Sequence, residues 1–205
     1  MRIFVLGCGQ GFPGCFCVSM GTNRTDDYEV FVSRDEEGYY VHTRGSFEAL
    51  LSGFGRPVDR APSFVARNEL EVTLPQAVEP PVWDHPLWRE YDSRCTGCGR
   101  CNVVCPTCTC FTMQDLFYAD NPRCGERRRV FAGCMIDGFT DTAGGGGYRK
   151  TYGERMRFKV LHKVDDFRRR FGVHMCVGCG RCDAACPEFI SFARLVNRLG
   201  EVSGK

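Results

Sequence analysis

The chain is 205 residues long, with 27 Lys and Arg against 25 Asp and Glu and a net charge of +2. So even a balance gives no bulk electrostatic reason to expect nucleic acid or an anionic membrane as a partner. Hydrophobic residues at 43% and charged residues at 25% are ordinary for a globular protein, and the length allows one domain or two.

In chain order, residues 3–6 read as a short buried strand. Residues 28–33 and 39–43 are rich in aromatic and β-branched side chains, with Gly38 between them, which predicts a hairpin. Ser46 is placed to cap a helix over 47–51 that Gly53 and Gly55 end. Pro75, Pro80, Pro81 and Pro86 mark an irregular strap. From Arg94 onward the character changes to cysteine runs and helices. Met156, Val160, Val164, Phe167 and Phe171 fall at helical spacing, Arg155, Arg157, Lys159 and Lys163 occupy other faces, and Gly172 is the stop. Phe189, Phe192, Ala193 and Val196 repeat the pattern, with Gly200 as the expected end. The glycines at 144–147 require a flexible or tightly turned loop. The fold class is therefore α+β: a small mixed α/β region over 1–93, then a mainly helical domain over 94–205.

Fifteen cysteines are the outlier. That content suits a secreted disulfide scaffold or a reducing compartment where thiols hold metal. The apolar run at the N-terminus is shorter than the roughly 7–15 residues of a signal-peptide core. No stretch approaches the roughly 20 apolar residues of a membrane span. The expectation is a cytoplasmic, metal-binding protein.

Two runs carry the chemistry. Cys95, Cys98, Cys101 and Cys105 precede Pro106, and Cys176, Cys179, Cys182 and Cys186 precede Pro187; both read C-x-G-C-G-R-C-x3-C-P. Three cysteines two residues apart can wrap one [4Fe–4S] cube, and glycines between them let backbone N–H groups approach the sulfurs. In two-cluster ferredoxins the fourth cysteine ligates the other cluster. The expected sets are Cys95, Cys98, Cys101 and Cys186 on one cluster, and Cys176, Cys179, Cys182 and Cys105 on the second. Paired C-x2-C motifs also occur in structural zinc ribbons, but a zinc site uses four ligands in all. Each run here supplies four by itself.

Other motifs compete for a role. Gly9-Gln10-Gly11-Phe12-Pro13-Gly14 matches G-x-G-x-x-G, but the stretch that follows is a poor helix, so a dinucleotide site is not expected there. Cys8, Cys15 and Cys17 on the same glycine-rich loop are candidate ligands of a third cluster, against the plainer reading of unliganded thiols. Cys108, Cys110, Cys124 and Cys134 read as buried structural thiols first and as further ligands second. The basic runs at 127–129 and 168–170 suit a solvated face, or docking onto an acidic partner. His42, His85, His162 and His174 are scattered, and no nucleophile–base pair forms around them. No catalytic residue is expected, which leaves electron transfer as the chemistry.

Beyond the generic motifs, several segments resemble the A subunit of anaerobic sulfite reductases. They are Cys105-Pro106-Thr107-Cys108-Thr109-Cys110-Phe111-Thr112-Met113-Gln114-Asp115, Gly125-Glu126-Arg127-Arg128-Arg129-Val130 and Arg155-Met156-Arg157-Phe158-Lys159 with His162-Lys163. Met175 through Pro187 with Glu188-Phe189-Ile190-Ser191, and Cys15 through Thr22 in the first region, carry it further. The related β subunit of cytoplasmic sulfhydrogenases shares the layout and is the closest competitor. The resemblance implies a helical ferredoxin fold for the C-terminal half. It also implies a relay role between a flavin- and NADH-binding subunit and a sirohaem subunit that reduces sulfite to sulfide; in the competing reading the second partner is a hydrogenase subunit. A zinc-bound interaction module is the third alternative. Two departures stand out: the region before the first cysteine run looks short for the family, and glycines fill 144–147 where the family pattern leads one to expect a histidine.

Overall fold

A computed structural model describes residues 1–203. They form two compact units: residues 1–71 with 177–179, and residues 72–176 with 180 onward.

The first unit is built on a three-stranded sheet in the order β1 (Phe4–Leu6), β2 (Val30–Arg34), β3 (Tyr39–Thr43). The hairpin expected around Gly38 is present: β2 and β3 pair antiparallel from Val30↔Thr43 to Arg34↔Tyr39. β1 pairs parallel with β2. Residues 3–6 were expected to be buried, yet Phe4 is 61% and Leu6 74% exposed. β1 is an edge strand of a small sheet, so alternate side chains face outward. The core gathers instead on Phe16, Tyr28, Val30 and Phe31. The helix α1 spans Ser46–Leu51 with Gly45, not Ser46, at the N-cap, and no side chain caps it. Turns, not a helix, follow Gly14.

In the second unit the proline strap is two 3-10 turns, Pro80–Asp84 and Pro86–Arg89, each with proline at its start. It buries Val78, Val82, Leu87 and Trp88. Two short helices, α2 (Glu90–Arg94) and α3 (Arg100–Val103), bracket the first cysteine loop. Strands β4 (Phe111–Phe117) and β5 (Gly125–Phe131) then form a seven-pair antiparallel ribbon, from Phe111↔Phe131 to Phe117↔Gly125. This ribbon corrects the reading of a mainly helical C-terminal half. Most of its side chains are exposed on both faces, so no alternation of apolar and polar residues announces it. Its basic run is engaged: Arg127 forms a bidentate pair with Asp115, at 2.6 and 2.8 Å, and Arg129 lies over the Phe111 ring.

The glycines near 144–147 make a tight turn between β6 (Asp141–Thr142) and β7 (Gly146–Gly147). The helix α4 (Tyr152–Leu161) opens on a capping box in which Thr151 and Glu154 exchange side-chain and backbone bonds. It runs through a π-helical stretch, His162–Asp166, into α5 (Phe167–Phe171), which Gly172 ends at φ 75°. In the wide turn the Phe167 N–H bonds the His162 carbonyl. The Lys163 carbonyl instead accepts from Met175 and Cys176 at 2.9 and 3.3 Å. The irregularity thus fastens the start of the second cysteine run to the helix. Arg155, Lys159 and Lys163, read as sitting on the faces away from the core, are buried.

The helix α6 (Arg181–Ala184) packs against α3, and α7 (Phe192–Ser203) packs its Phe192, Ala193, Leu195, Val196 and Leu199 inward. Gly200 does not end α7; a Cβ there would come 3.2 Å from the Thr73 carbonyl, so the glycine allows a close approach inside the helix. Phe189 lies outside the helix, 86% exposed. No helix among the described residues is long and apolar enough to cross a membrane.

Candidate metal centre

Both cysteine loops turn through left-handed backbone that glycine adopts at little cost. Gly97 and Gly99 have φ of 66° and 69°, and Gly178 and Gly180 have 65° and 66°. Each loop runs into a one-turn helix that carries the third cysteine, Cys101 on α3 and Cys182 on α6. The repeated sequence therefore folds as a repeated structure. Backbone amides reach the sulfurs, as Gly97 N–H to Cys95 Sγ at 3.4 Å and Ile190 N–H to Cys186 Sγ at 3.3 Å.

Within the second unit Cys95, Cys98, Cys101 and Cys186 line one cleft, although 81 positions separate the starts of the two runs. Cys182 lies on its wall, and Met135, Met156, Ile190 and Phe192 supply apolar surface. No disulfide links cysteines among the described residues. The thiols ring a space and do not close on a point: among the described residues no three His, Cys, Asp or Glu side chains are placed to share one metal ion. Four soft sulfur donors around an apolar cleft fit the all-cysteine donor set of a [4Fe–4S] cube.

Of the second expected set, Cys176 lies near enough to Cys182 to act on it electrostatically. Cys105 and Thr107 share a hydrogen bond at 3.3 Å, and the Cys105 thiol lies by the Lys163 ammonium. Burial pushes the Cys105 thiol up, but the Thr107 hydroxyl and the Lys163 charge outweigh it and hold it below the ordinary thiol range. Cys179 belongs to the 177–179 segment of the first unit, where its carbonyl accepts from the Cys15 thiol at 3.8 Å.

In the third candidate set each cysteine has a setting of its own. Cys8 is exposed, Cys15 meets the Cys179 carbonyl, and Cys17 meets Asn68 at 3.5 Å. Of the remaining thiols, Cys134 is buried and Cys108 half-buried, and both accept from the Asn102 amide, at 3.5 and 3.9 Å. Burial, and to a lesser extent the neighbouring Cys108, pushes the Cys110 thiol up. Cys124, read as buried, is exposed and bonded to Asn121 at 3.2 Å.

Sequence reasoning missed Lys159. It is 4% exposed and lines the cleft with Cys101 and Cys182, with the Cys134 sulfur also near its charge. Burial alone would favour the neutral amine; the sulfurs outweigh it and raise the pKa well above the ordinary lysine value. Conversely, burial pushes the Cys182 thiol up, and the Lys159 charge opposes it. The available signal was a lysine one helical turn before a second, Lys163, on a helix that contacts the cysteine loops.

Residues 94–190 match the family model of the 4Fe-4S dicluster domain. The chain is 28% identical over 207 residues to the sulfhydrogenase 2 subunit beta of Pyrococcus furiosus. That alignment covers 91% of this chain and 60% of the relative, so the chain spans about three fifths of that protein's length. No solved structure matches significantly. Taken with the cysteine-lined cleft, the dicluster match makes the chain an iron–sulfur protein that carries [4Fe–4S] clusters.

Proposed function

We propose that the chain is a two-cluster electron-relay subunit of a cytoplasmic anaerobic sulfite reductase. Cys95, Cys98, Cys101 and Cys186 hold one cluster, and Cys176, Cys179, Cys182 and Cys105 the other. Each cluster supplies reversible one-electron storage. The chain's own residues hold the sulfurs, exclude water with the apolar cleft wall and direct amides at the thiolates, which helps set the potential. The observation that carries the reading is the crossing of the two runs in one cleft, since Cys186 lines it beside the first three cysteines of the other run. Two groups bound to interleaved ligands lie close enough to exchange electrons, and a subunit holding them needs no catalytic residue.

The partners in this reading are a flavin- and NADH-binding subunit and a sirohaem subunit where sulfite is reduced. The segments at 111–115 and 155–163 favour this complex. A second reading, the β subunit of a sulfhydrogenase, is favoured by the likeness to the Pyrococcus furiosus protein. Iron and acid-labile sulfide per chain tests the core of the proposal. About eight irons with broad absorption near 400 nm is expected, about twelve adds a cluster at Cys8, Cys15 and Cys17, and a colourless zinc-loaded protein overturns it. Co-purification separates the complexes: a sirohaem partner supports the first reading and a nickel–iron partner the second.

A further inference from the structure

Lys159 and Lys163 stand one helical turn apart on the same side of the helix that backs the cysteine runs, and they are 4% and 6% exposed. An ammonium taken out of water costs several kcal/mol unless an opposite charge meets it. Neither lysine forms an ion pair with a carboxylate among the described residues; the buried Asp165 nearby pairs with Arg169 at 3.0 Å. Their partners are sulfur, hydroxyl and, for Lys159, the face of the Phe192 ring at 5.4 Å from its centroid, a weak contact next to the cost of burying a full charge. Lys159 lines the cleft together with Cys101 and Cys182, one thiol from each run. Lys163 donates to Thr107 at 3.2 Å and lies beside Cys105, while its carbonyl holds the amide of Cys176. Neutral thiols do not repay the burial of two ammonium groups. Sulfurs bound to an anionic cluster do, and more so once an electron has been added.

We propose that these two lysines are the fixed counter-charges of the clusters: Lys159 is a cation shared between both, and Lys163 a cation of the cluster held by Cys105 and Cys176. The inference rests on the two-cluster reading above. A nearby positive charge stabilises the reduced, more negative form and so raises the potential. The shared cation also screens the repulsion between two reduced clusters, which favours a relay that holds two electrons at once.

The test is a redox titration of the full chain followed by electron paramagnetic resonance, with iron measured first on every sample. Lys159→Met with full iron is expected to lower both midpoints, each by at least tenfold in the reduced-to-oxidised ratio, about 59 mV for a one-electron couple. Lys163→Met is expected to lower one midpoint and leave the other. Lys159→Arg, which keeps the charge, restores both. Full iron with unshifted midpoints in both methionine variants overturns the inference and leaves the two-cluster reading standing, whereas a wild-type chain without iron overturns that reading. If Lys159→Met and Lys159→Gln lose iron while Lys159→Arg keeps it, the counter-charge is needed for assembly and the inference holds. Iron loss in all three shows a demand for shape and overturns the role of Lys159; the Lys163→Met midpoints then decide the other half.

Discussion

The two cysteine loops share one backbone and differ in how they are fastened. Their glycine dihedrals agree to within a few degrees and each ends in a one-turn helix. The residue after the third cysteine differs. In the first loop it is Asn102, 1% exposed, which accepts from the Met135 amide at 3.1 Å and donates to the thiols of Cys134 and Cys108. In the second it is Asp183, which accepts from Ser191 Oγ and the Phe192 amide, both at 2.7 Å, at the start of α7. A carboxylate suits the positive end of a helix, and a neutral amide suits a pocket lined by sulfur. The spacing of cysteine and glycine sets the loop, and one adjoining side chain selects what the loop is bolted to.

The largest effect is expected where the proposed ligand sets cross between the two loops. With crossed sets, Cys186→Ser combined with Cys98→Ser strikes one cluster twice, and iron falls from about eight to about four per chain. Cys186→Ser combined with Cys179→Ser strikes both, and iron falls toward zero. Uncrossed ligation gives the reverse pattern, so iron analysis of the two double variants decides between them.

Next in size are the paired glycines. A Cβ on Gly178 would sit 2.6 Å from backbone atoms of Phe16 and Cys17, within the first unit, while one on Gly97 would meet the edge of the Tyr152 ring at 2.5 Å. Backbone cannot step aside and a half-buried ring can swing. Both substitutions carry the left-handed cost of about 1–2 kcal/mol. Gly178→Ala is expected to lose more stability than Gly97→Ala in thermal unfolding of the cluster-loaded protein, and equal losses would contradict the unequal fastening.

Why some of this was legible before the structure is a question of signal. The cysteine runs announce themselves because a cube demands its ligands at fixed spacing, and the hairpin at Gly38 because aromatic and β-branched runs flank a turn residue. The β4–β5 ribbon was silent, since side chains exposed on both faces carry no apolar period. Arg155, Lys159 and Lys163 misled for a related reason. Charge on a helix normally marks the solvent side, and only a partner elsewhere in the chain, Cys101 or Thr107 for the lysines and Asp137 for Arg155, reverses that meaning. Gly200 misled because a glycine that ends a helix and one that admits a neighbour's carbonyl look the same in one dimension.

The smallest contrast is the most specific to the fastening, and it exchanges the two anchoring residues. Asp183→Asn keeps an acceptor for the Phe192 amide, and the Ser191 hydroxyl can turn to accept from the new NH2 group, so the loss is held to about 1 kcal/mol. Asn102→Asp keeps the acceptor for the Met135 amide but replaces the group that donates to Cys134 and Cys108 with a second oxygen, in a site that water does not reach. Burial then drives that carboxyl toward its protonated form, with a folded-state pKa above the unfolded value. The added cost is absent below the unfolded pKa and grows as pH rises through the range between the two. Asn102→Asp is therefore expected to be about 1–3 kcal/mol less stable than the parent at neutral pH and to recover part of that in mild acid. Asp183→Asn should show no such recovery. Denaturant titrations of both variants near pH 7 and pH 5 read the difference, and a pH-independent penalty for Asn102→Asp would mean that the first loop is held by shape and not by its amide.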